Sequence, residues 1–127
     1  MDVAMDVSAT PHGAGEARRR LRVLEREVPT NAYTSLRLLV SELVSNRPSH
    51  VGQAVADESL HLVVHTFEAG VRVELHDSDL APERAQTAAQ EELSRWDVVL
   101  LDELTNEWGI LEDSVGDVWF EILYEST

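Results

Sequence analysis

Two periodicities in the hydrophobic pattern separate the predicted strands from the predicted helices. Residues 2–8 alternate weakly between polar and apolar side chains, which predicts an edge strand. Helical spacing follows from Glu16 to about Glu27, and Pro29 ends this helix. The residues that share its apolar face are Ala17, Leu21, Leu24 and Val28.

A second helix is predicted between two prolines. Thr30 directly follows Pro29 and suits an N-cap, and the helix should end near Asn46 because Pro48 cannot continue it. Its buried stripe is formed by Tyr33, Leu36, Val40 and Leu43. Residues 49–58 are then predicted to form a loop.

The second half of the chain predicts four strands and one helix. The strand-like runs 60–67 and 71–77 flank Glu68-Ala69-Gly70, which indicates a β-hairpin. Since no glycine or proline interrupts residues 83–108, we predict one long or slightly broken helix after Pro82. Its apolar stripe consists of Ala85, Ala89, Leu93, Trp96, Leu100 and Leu104. Two last strands, at 108–112 and 117–124, complete the pattern.

This order of elements predicts an α+β fold, a two-layer α/β sandwich with helices on one face of a mostly antiparallel mixed sheet. The length of 127 residues fits a single domain over 1–127. No apolar run approaches the ~18 residues that a membrane helix needs, and no secretory signal opens the sequence. We therefore expect one cytoplasmic domain without membrane contact.

The charge balance excludes several chemistries. Acidic residues number 24 against 10 basic ones, which gives a net charge of −14, and every basic residue is arginine. Such a negative surface repels phosphate backbones, so direct nucleic-acid binding is not expected. Without lysine there is no Schiff-base nucleophile. The arginines on the polar side of the first helix predict either a solvated face or a docking face, and they are Arg18, Arg19, Arg22 and Arg26.

Polar residues on the second helix and after the second strand of the hairpin are candidates for ligand binding. Glu42 and Asn46 lie four residues apart on one side of the helix, where they can orient a hydroxyl and offer an amide oxygen to Mg²⁺. Asp77 continues the apolar face of its strand, so its carboxylate needs a donor. Glu42 and Asn46 form either a solvated pair or part of a ligand-binding site. Asp77 either caps a turn together with Ser78 or accepts a hydrogen bond from an amine such as that of adenine.

These segments together resemble the histidine-kinase-like ATPase (GHKL or Bergerat) fold, and in particular the anti-sigma-factor serine/threonine kinases. The family's helix motif S-E-L-V-[ST]-N is matched by residues 41–46, and its strand motif V-x-V-x-D-x-S by Val73, Leu75, Asp77 and Ser78. A later helix ends in W-G, as at Trp108-Gly109, and the last strand resembles V-W-F-E-L at 118–122.

The resemblance implies a role for each matched residue. Glu42 would be the general base, Asn46 would bind Mg²⁺ and contribute to the nucleotide site, and Asp77 with Ser78 would bind adenine. ATP and Mg²⁺ are the implied cofactors. A sigma factor or an antagonist of the anti-sigma factor is the implied protein partner, and the family also implies a homodimer.

One departure from the family pattern concerns the two glycines that cradle the phosphates, because Arg95 and Asp97 occupy their positions. Asp97 adds a Cβ and a negative charge where backbone should approach phosphate, whereas Arg95 can pair with a phosphate. We therefore expect a regulatory ATP-binding-fold protein whose nucleotide site is weak or degenerate. Such a protein is either an active kinase or a pseudo-kinase. The alternative is a non-catalytic interaction module that binds a sigma factor or an antagonist without ATP.

Histidines and tryptophans complete the set of noticeable side chains. His61 and His65 share a strand face with His76 on the neighbouring strand, so they predict either a Zn²⁺ site or a pH-sensitive surface. The tryptophans, which fall in apolar stripes and are predicted to lie in the core, are Trp96, Trp108 and Trp119.

Overall fold

A computed structural model describes residues 1–8, 11–45, 59–76, 95–110 and 118–124. Within these ranges the chain forms five strands and three α-helices. The strands are β1 (Asp2–Ser8), β2 (Ser59–Phe67), β3 (Gly70–His76), β4 (Glu107–Ile110) and β5 (Val118–Leu123). The helices are α1 (Pro11–Arg20), which continues into a 3₁₀ turn at Leu21–Leu24, α2 (Thr30–Ser45) and α3 (Arg95–Leu104).

The strands form one sheet in the order β1-β2-β3-β5-β4, and all of the described pairs are antiparallel. The last strand therefore enters between β3 and β4, so that β1 and β4 are the two edges. No parallel pair occurs among the described strands, whereas the sequence had predicted a mixed sheet. The prediction of an α+β two-layer sandwich is confirmed.

One face of the sheet and the apolar sides of the helices form the hydrophobic core. Side chains alternate along β3, where Val71, Val73 and Leu75 are buried and the intervening residues are half-buried. From α2 the core receives Leu36, Leu39 and Val40, each at most 1% exposed. Burial of a single aliphatic side chain of this size stabilises a fold by about 1.5–3 kcal/mol. The periodicity of the sequence therefore predicted the buried faces of β3 and α2 correctly.

The first helix differs from its prediction at both ends. It begins at Pro11 instead of Glu16, since proline is well suited to the first helical position, and it tightens into a 3₁₀ turn at Leu21. Gly13 is buried against β1, and a Cβ there would collide with the backbone carbonyl of Ser8. The predicted apolar face is confirmed, with Ala17, Leu21, Leu24 and Val28 all buried.

The second helix follows its prediction closely. Thr30 is its first residue, and the carbonyl of Pro29 accepts from the Tyr33 N–H at 2.8 Å. Thr30 is thus one position inside the helix rather than at the predicted N-cap. The helix reaches Ser45, one residue before the predicted end.

The hairpin is tighter than the sequence indicated, because Gly70 already pairs with Phe67 and only two residues form the turn. A Cβ on Gly70 would meet the backbone carbonyl of Ile122 in β5. Glycine therefore lets the third and fifth strands come together directly at the start of β3.

The prediction of a helix reaching residue 108 is wrong at its C-terminal end. Helix α3 ends at Leu104, and Trp108 lies in β4, where it pairs with Phe120. The buried face of α3 also differs from the predicted stripe, since Trp96 is 56% exposed while Asp97 is 2% exposed. The part of the predicted helix before Arg95 lies outside the described residues.

The other two tryptophans are only half-buried, so the prediction that all three lie in the core is wrong. Trp108 packs beside the core and donates from Nε1 to Asp102 at 2.8 Å. Trp119 lies on the sheet face that the described helices leave uncovered, beneath the guanidinium of Arg72. Among the described residues, no helix has the length and apolar content required to cross a membrane.

Candidate functional site

Glu42 lies near the C-terminal end of α2, on the side of the helix that turns away from the core. Its neighbours Ser41 and Leu43 are buried, whereas Glu42 itself is half-buried. Two serine hydroxyls bond back to the helix here, from Ser41 to the carbonyl of Leu38 at 3.1 Å and from Ser45 to the carbonyl of Ser41 at 2.7 Å. This part of the S-E-L-V-S-N motif is therefore regular helix up to Ser45, with the carboxylate at its surface.

Three of the predicted site residues, Asn46, Asp77 and Ser78, lie outside the described residues. Asn46 directly follows the last residue of α2, and Asp77 directly follows the last residue of β3. The core-facing residues of β3 are the alternate positions that lead to Asp77 in sequence. Whether the carboxylates and the carboxamide converge on one nucleotide stays a prediction.

The two residues at the family's glycine positions belong to the first turn of α3. Arg95 begins the helix, and its side chain lies outside the described residues. Asp97 is one of two polar residues buried in the described part of the chain, on the same side of α3 as Leu100 and Leu101. A carboxylate in a first helical turn is stabilised by the positive end of the helix dipole. Helix N-termini bind phosphates through the same field, so Asp97 brings negative charge to the end of α3 that would otherwise attract an anion.

Sequence reasoning placed Asp97 at a glycine position of the family pattern but did not predict its burial. The signal was available, because Asp97 precedes Leu100, Leu101 and Leu104 at distances of three, four and seven residues. That spacing puts Asp97 on the same helical face as the three leucines. Trp96, the predicted member of that face, points to solvent instead.

A groove of about 390 Å³ lies at the other end of α2. Its walls come from the start of α2, the end of α3 and the end of β5, and they include Asn31, Ser35, Leu104 and Leu123. Glu42 lies seven residues beyond Ser35, which corresponds to roughly 10 Å along a helix. The groove therefore lies about two helical turns from Glu42, and sequence analysis did not anticipate it.

Tyr124 closes one side of this groove. Its hydroxyl donates to the carbonyl of Gly70 at 3.1 Å, and its backbone N–H donates to Ala69 at 2.8 Å. Burial, assisted by the negative charge of Glu27, raises the pKa of the Tyr124 phenol. The tyrosine thus ties the end of β5 to the β2–β3 hairpin in its protonated form.

The predicted histidine cluster lies on the uncovered face of the sheet. His61 faces His76 on the neighbouring strand, with 6.3 Å between ring centroids. His61 and His65 pair with aspartates of β1, and Nε2 of His76 pairs with Glu74 at 3.0 Å. In the described part of the chain, no three histidine, aspartate or glutamate side chains are arranged to hold a metal ion. The geometry found is one of separate imidazole–carboxylate pairs.

The arginine-rich side of α1 and its 3₁₀ turn forms a basic surface. It consists of the exposed residues Arg19, Arg20, Arg22 and Arg26. Arg20 pairs with Glu16 one helical turn away at 3.3 Å, and Val23, which follows Arg22 in sequence, is 58% exposed. Arg18, predicted to belong to this face, is only half-exposed. The surface concentrates positive charge on a chain whose net charge is −14.

Comparison with known proteins shows a structural similarity. No family model matches the sequence, and no curated protein matches it either. The fold is similar to the crystal structure of the RsbU and RsbW domains of Rv1364c from Mycobacterium tuberculosis, with a TM-score of 0.64 and 16% sequence identity. The match covers 98% of this chain and 32% of that chain, so this chain spans about a third of the length of its neighbour. At this identity the similarity establishes the fold alone.

Proposed function

We propose that this protein is a regulatory protein of the anti-sigma factor or serine-protein kinase type, built on an ATP-binding fold with a weak nucleotide site. Two independent lines support the proposal. The sequence resembles the anti-sigma-factor kinases at residues 41–46, and the fold is similar to a structure that includes an RsbW domain. A protein of this type acts on protein partners, so a sigma factor or its antagonist is the proposed partner.

The proposed chemistry assigns one role to each matched side chain. Glu42 would accept the proton of a serine hydroxyl on the partner protein. ATP with Mg²⁺ would supply the phosphoryl group, and Asn46 would hold the metal ion through its amide oxygen. Asp77 and Ser78 would bind the adenine, and Arg95 would pair with a phosphate. Phosphoryl transfer depends mainly on such positioning and on charge stabilisation.

The observation that carries the weak-site part of the proposal is the burial of Asp97 in the first turn of α3, at 2% exposure. A phosphate bound at this helix end would meet a fixed carboxylate. Two like charges about 4 Å apart repel by roughly 4 kcal/mol at an effective dielectric constant of about 20. This energy corresponds to a loss of affinity of roughly a thousandfold.

Calorimetric titration with Mg-ATP tests the proposal when the wild type is compared with D97G. We expect weak binding by the wild type and an affinity increased by up to about a thousandfold in D97G. The matched control is E103Q, which removes an exposed carboxylate from the same helix and should leave the affinity unchanged. D77N in the D97G background should abolish binding. A folded D97G protein that binds no nucleotide at millimolar concentration would contradict the proposal.

The second candidate is a non-catalytic interaction module with the same partners. The basic surface favours it, because its exposed arginines, together with the exposed side chain of Val23, can contact an acidic partner without any nucleotide. The same titration distinguishes the candidates. If neither the wild type nor D97G binds nucleotide in this titration while both are folded, the result would favour the interaction module.

A further inference from the structure

Two imidazole–carboxylate pairs join the edge strand β1 to β2 across the uncovered face of the sheet. Asp6 lies opposite His61 in the strand register, and Asp2 lies opposite His65. His61 Nδ1 is 2.8 Å from the Asp6 carboxylate, and His65 Nδ1 contacts the Asp2 carboxylate. All four side chains are accessible to solvent, with exposures between 42% and 73%. The pairs therefore exchange protons freely with the solution.

Among the described strands, β1 has β2 as its sole neighbour in the sheet. Besides the backbone ladder, β1 is fixed by the burial of Met5 and Val7 in the core. At its start, the terminal ammonium of Met1 donates to Thr66 Oγ1 at 2.8 Å. The two imidazole–carboxylate pairs and the contact of the ammonium are the contacts between β1 and β2 that involve ionisable groups.

Other charged groups face the same histidines from β3 and β5. Arg72 lies opposite His65 in the register, but its guanidinium is engaged by Glu74 and Glu121 at 3.3 Å each. His76 lies opposite His61 and pairs with Glu74 on its own strand. A protonated His76 would oppose protonation of His61, whereas the carboxylates of β1 and Glu74 favour it. The nearest acceptors on the β1 side are Asp2 and Asp6.

We propose that protonation of His61 and His65 fastens β1 to β2, so that the edge strand is a pH-sensitive element of this fold. An imidazole changes charge between about pH 5 and 8. With a protonated imidazole each contact is an ion pair, and with a neutral imidazole it is a hydrogen bond from the imidazole N–H to a carboxylate. Stabilisation that depends on a protonated histidine is complete at low pH and disappears as the pH rises. The strand is accordingly held most firmly at mildly acidic pH and opens more often above neutrality.

At low pH the contact between His65 and Asp2 is lost when the Asp2 carboxylate becomes protonated. The hydrogen bond from His65 lowers the pKa of the Asp2 carboxyl below its ordinary value of 3.8. Desolvation opposes this lowering, and the charges of His65 and of the terminal ammonium assist it. A lowered carboxyl pKa gives stability that is present above the ordinary value and is lost as the pH falls through the lowered one. The Asp2 carboxylate therefore keeps its charge down to a pH below 3.8.

Hydrogen–deuterium exchange of the backbone amides of β1 tests the proposal, with the amides of β3 as an internal reference. After correction for intrinsic exchange rates, the opening constant of β1 should rise by about two- to twentyfold between pH 5.8 and pH 8.0. The change should diminish in 0.5 M NaCl, because exposed ion pairs are screened by salt. The opening constant of β3 should change less.

The variant H61Q/H65Q removes both imidazoles, and D2N/D6N removes both carboxylates. Each should abolish most of the pH dependence of β1 exchange, and each reports independently if the other does not fold. The matched control is H12Q, which removes an exposed histidine of α1 and leaves β2 and β3 unchanged, so its β1 should keep the wild-type response. An unchanged pH dependence in H61Q/H65Q would assign the effect to the terminal ammonium and overturn the proposal. The absence of any change in the wild type would overturn it as well.

Discussion

The replacement of Arg72 by alanine tests how the uncovered face of the sheet is stabilised. The guanidinium lies 4.4 Å from the ring centroid of Trp119. It also contacts the carboxylates of Glu74 on its own strand and of Glu121 on β5, both at 3.3 Å. In R72A the two carboxylates keep their positions on adjacent strands without the cation between them. The variant should therefore lose three contacts at once and leave two like charges close together.

The expected loss follows from the exposure of these groups. The side chains of Arg72, Glu74 and Glu121 are 31%, 32% and 24% exposed, so each ion pair stabilises the fold by about 0.5 kcal/mol. Stacking of the guanidinium on Trp119 adds roughly 1 kcal/mol at a partly desolvated site. R72A should thus lower the free energy of unfolding by about 2 kcal/mol. R72K should lose about half of that, because an ammonium keeps the charge but not the planar stacking.

Urea denaturation followed by far-UV circular dichroism measures this loss. With a slope of about 1–3 kcal/mol per molar urea, the midpoint of R72A should fall by roughly 1 M. The matched control is R22A, which removes an exposed arginine from the basic surface and should shift the midpoint very little. A loss below about 0.5 kcal/mol in R72A, or an equal loss in R22A, would refute the reasoning.

Three substitutions extend these tests to the hairpin, the first helix and the end of β5. G70A should lower the urea midpoint because its Cβ meets the carbonyl of Ile122, whereas G15A in α1, where a Cβ has room, should raise stability by about 0.5–1 kcal/mol. Equal effects of the two substitutions would contradict the packing argument. Since the pKa of Tyr124 is raised from 10.0, its contribution to stability is complete below pH 10 and declines as the pH rises further. The urea midpoint should therefore fall less between pH 8 and pH 11 in Y124F than in the wild type. Equal falls in the two proteins would exclude this role.

The candidate site illustrates how far local patterns extend. Helical spacing predicted that Glu42 and Asn46 share one side of α2; the structure places Glu42, half-buried, near the end of this helix, and Asn46 lies outside the described residues. Helical spacing puts Asp97 on the face of Leu100 and Leu101, but only the tertiary structure shows that this face meets the core. The convergence of Asn46 and Asp77 concerns residues that lie outside the described ranges, so it stays a prediction.

By itself, the sequence determined the core faces of α1, α2 and β3 and much of the local structure. Alternation specified the core side of β3, and helical spacing specified the buried residues of α2, because both depend only on backbone periodicity. The hairpin followed for the same reason, as its strands adjoin along the chain.

Tertiary structure alone decided which distant segments meet. The insertion of β5 between β3 and β4, the end of α3 at Leu104 and the pairing of β1 aspartates with β2 histidines all depend on contacts between residues far apart in sequence. Strand pairing is a backbone hydrogen-bonding choice that every strand edge offers equally. It is settled only when the whole core packs, and for this reason local periodicity predicted the sandwich but not its strand order.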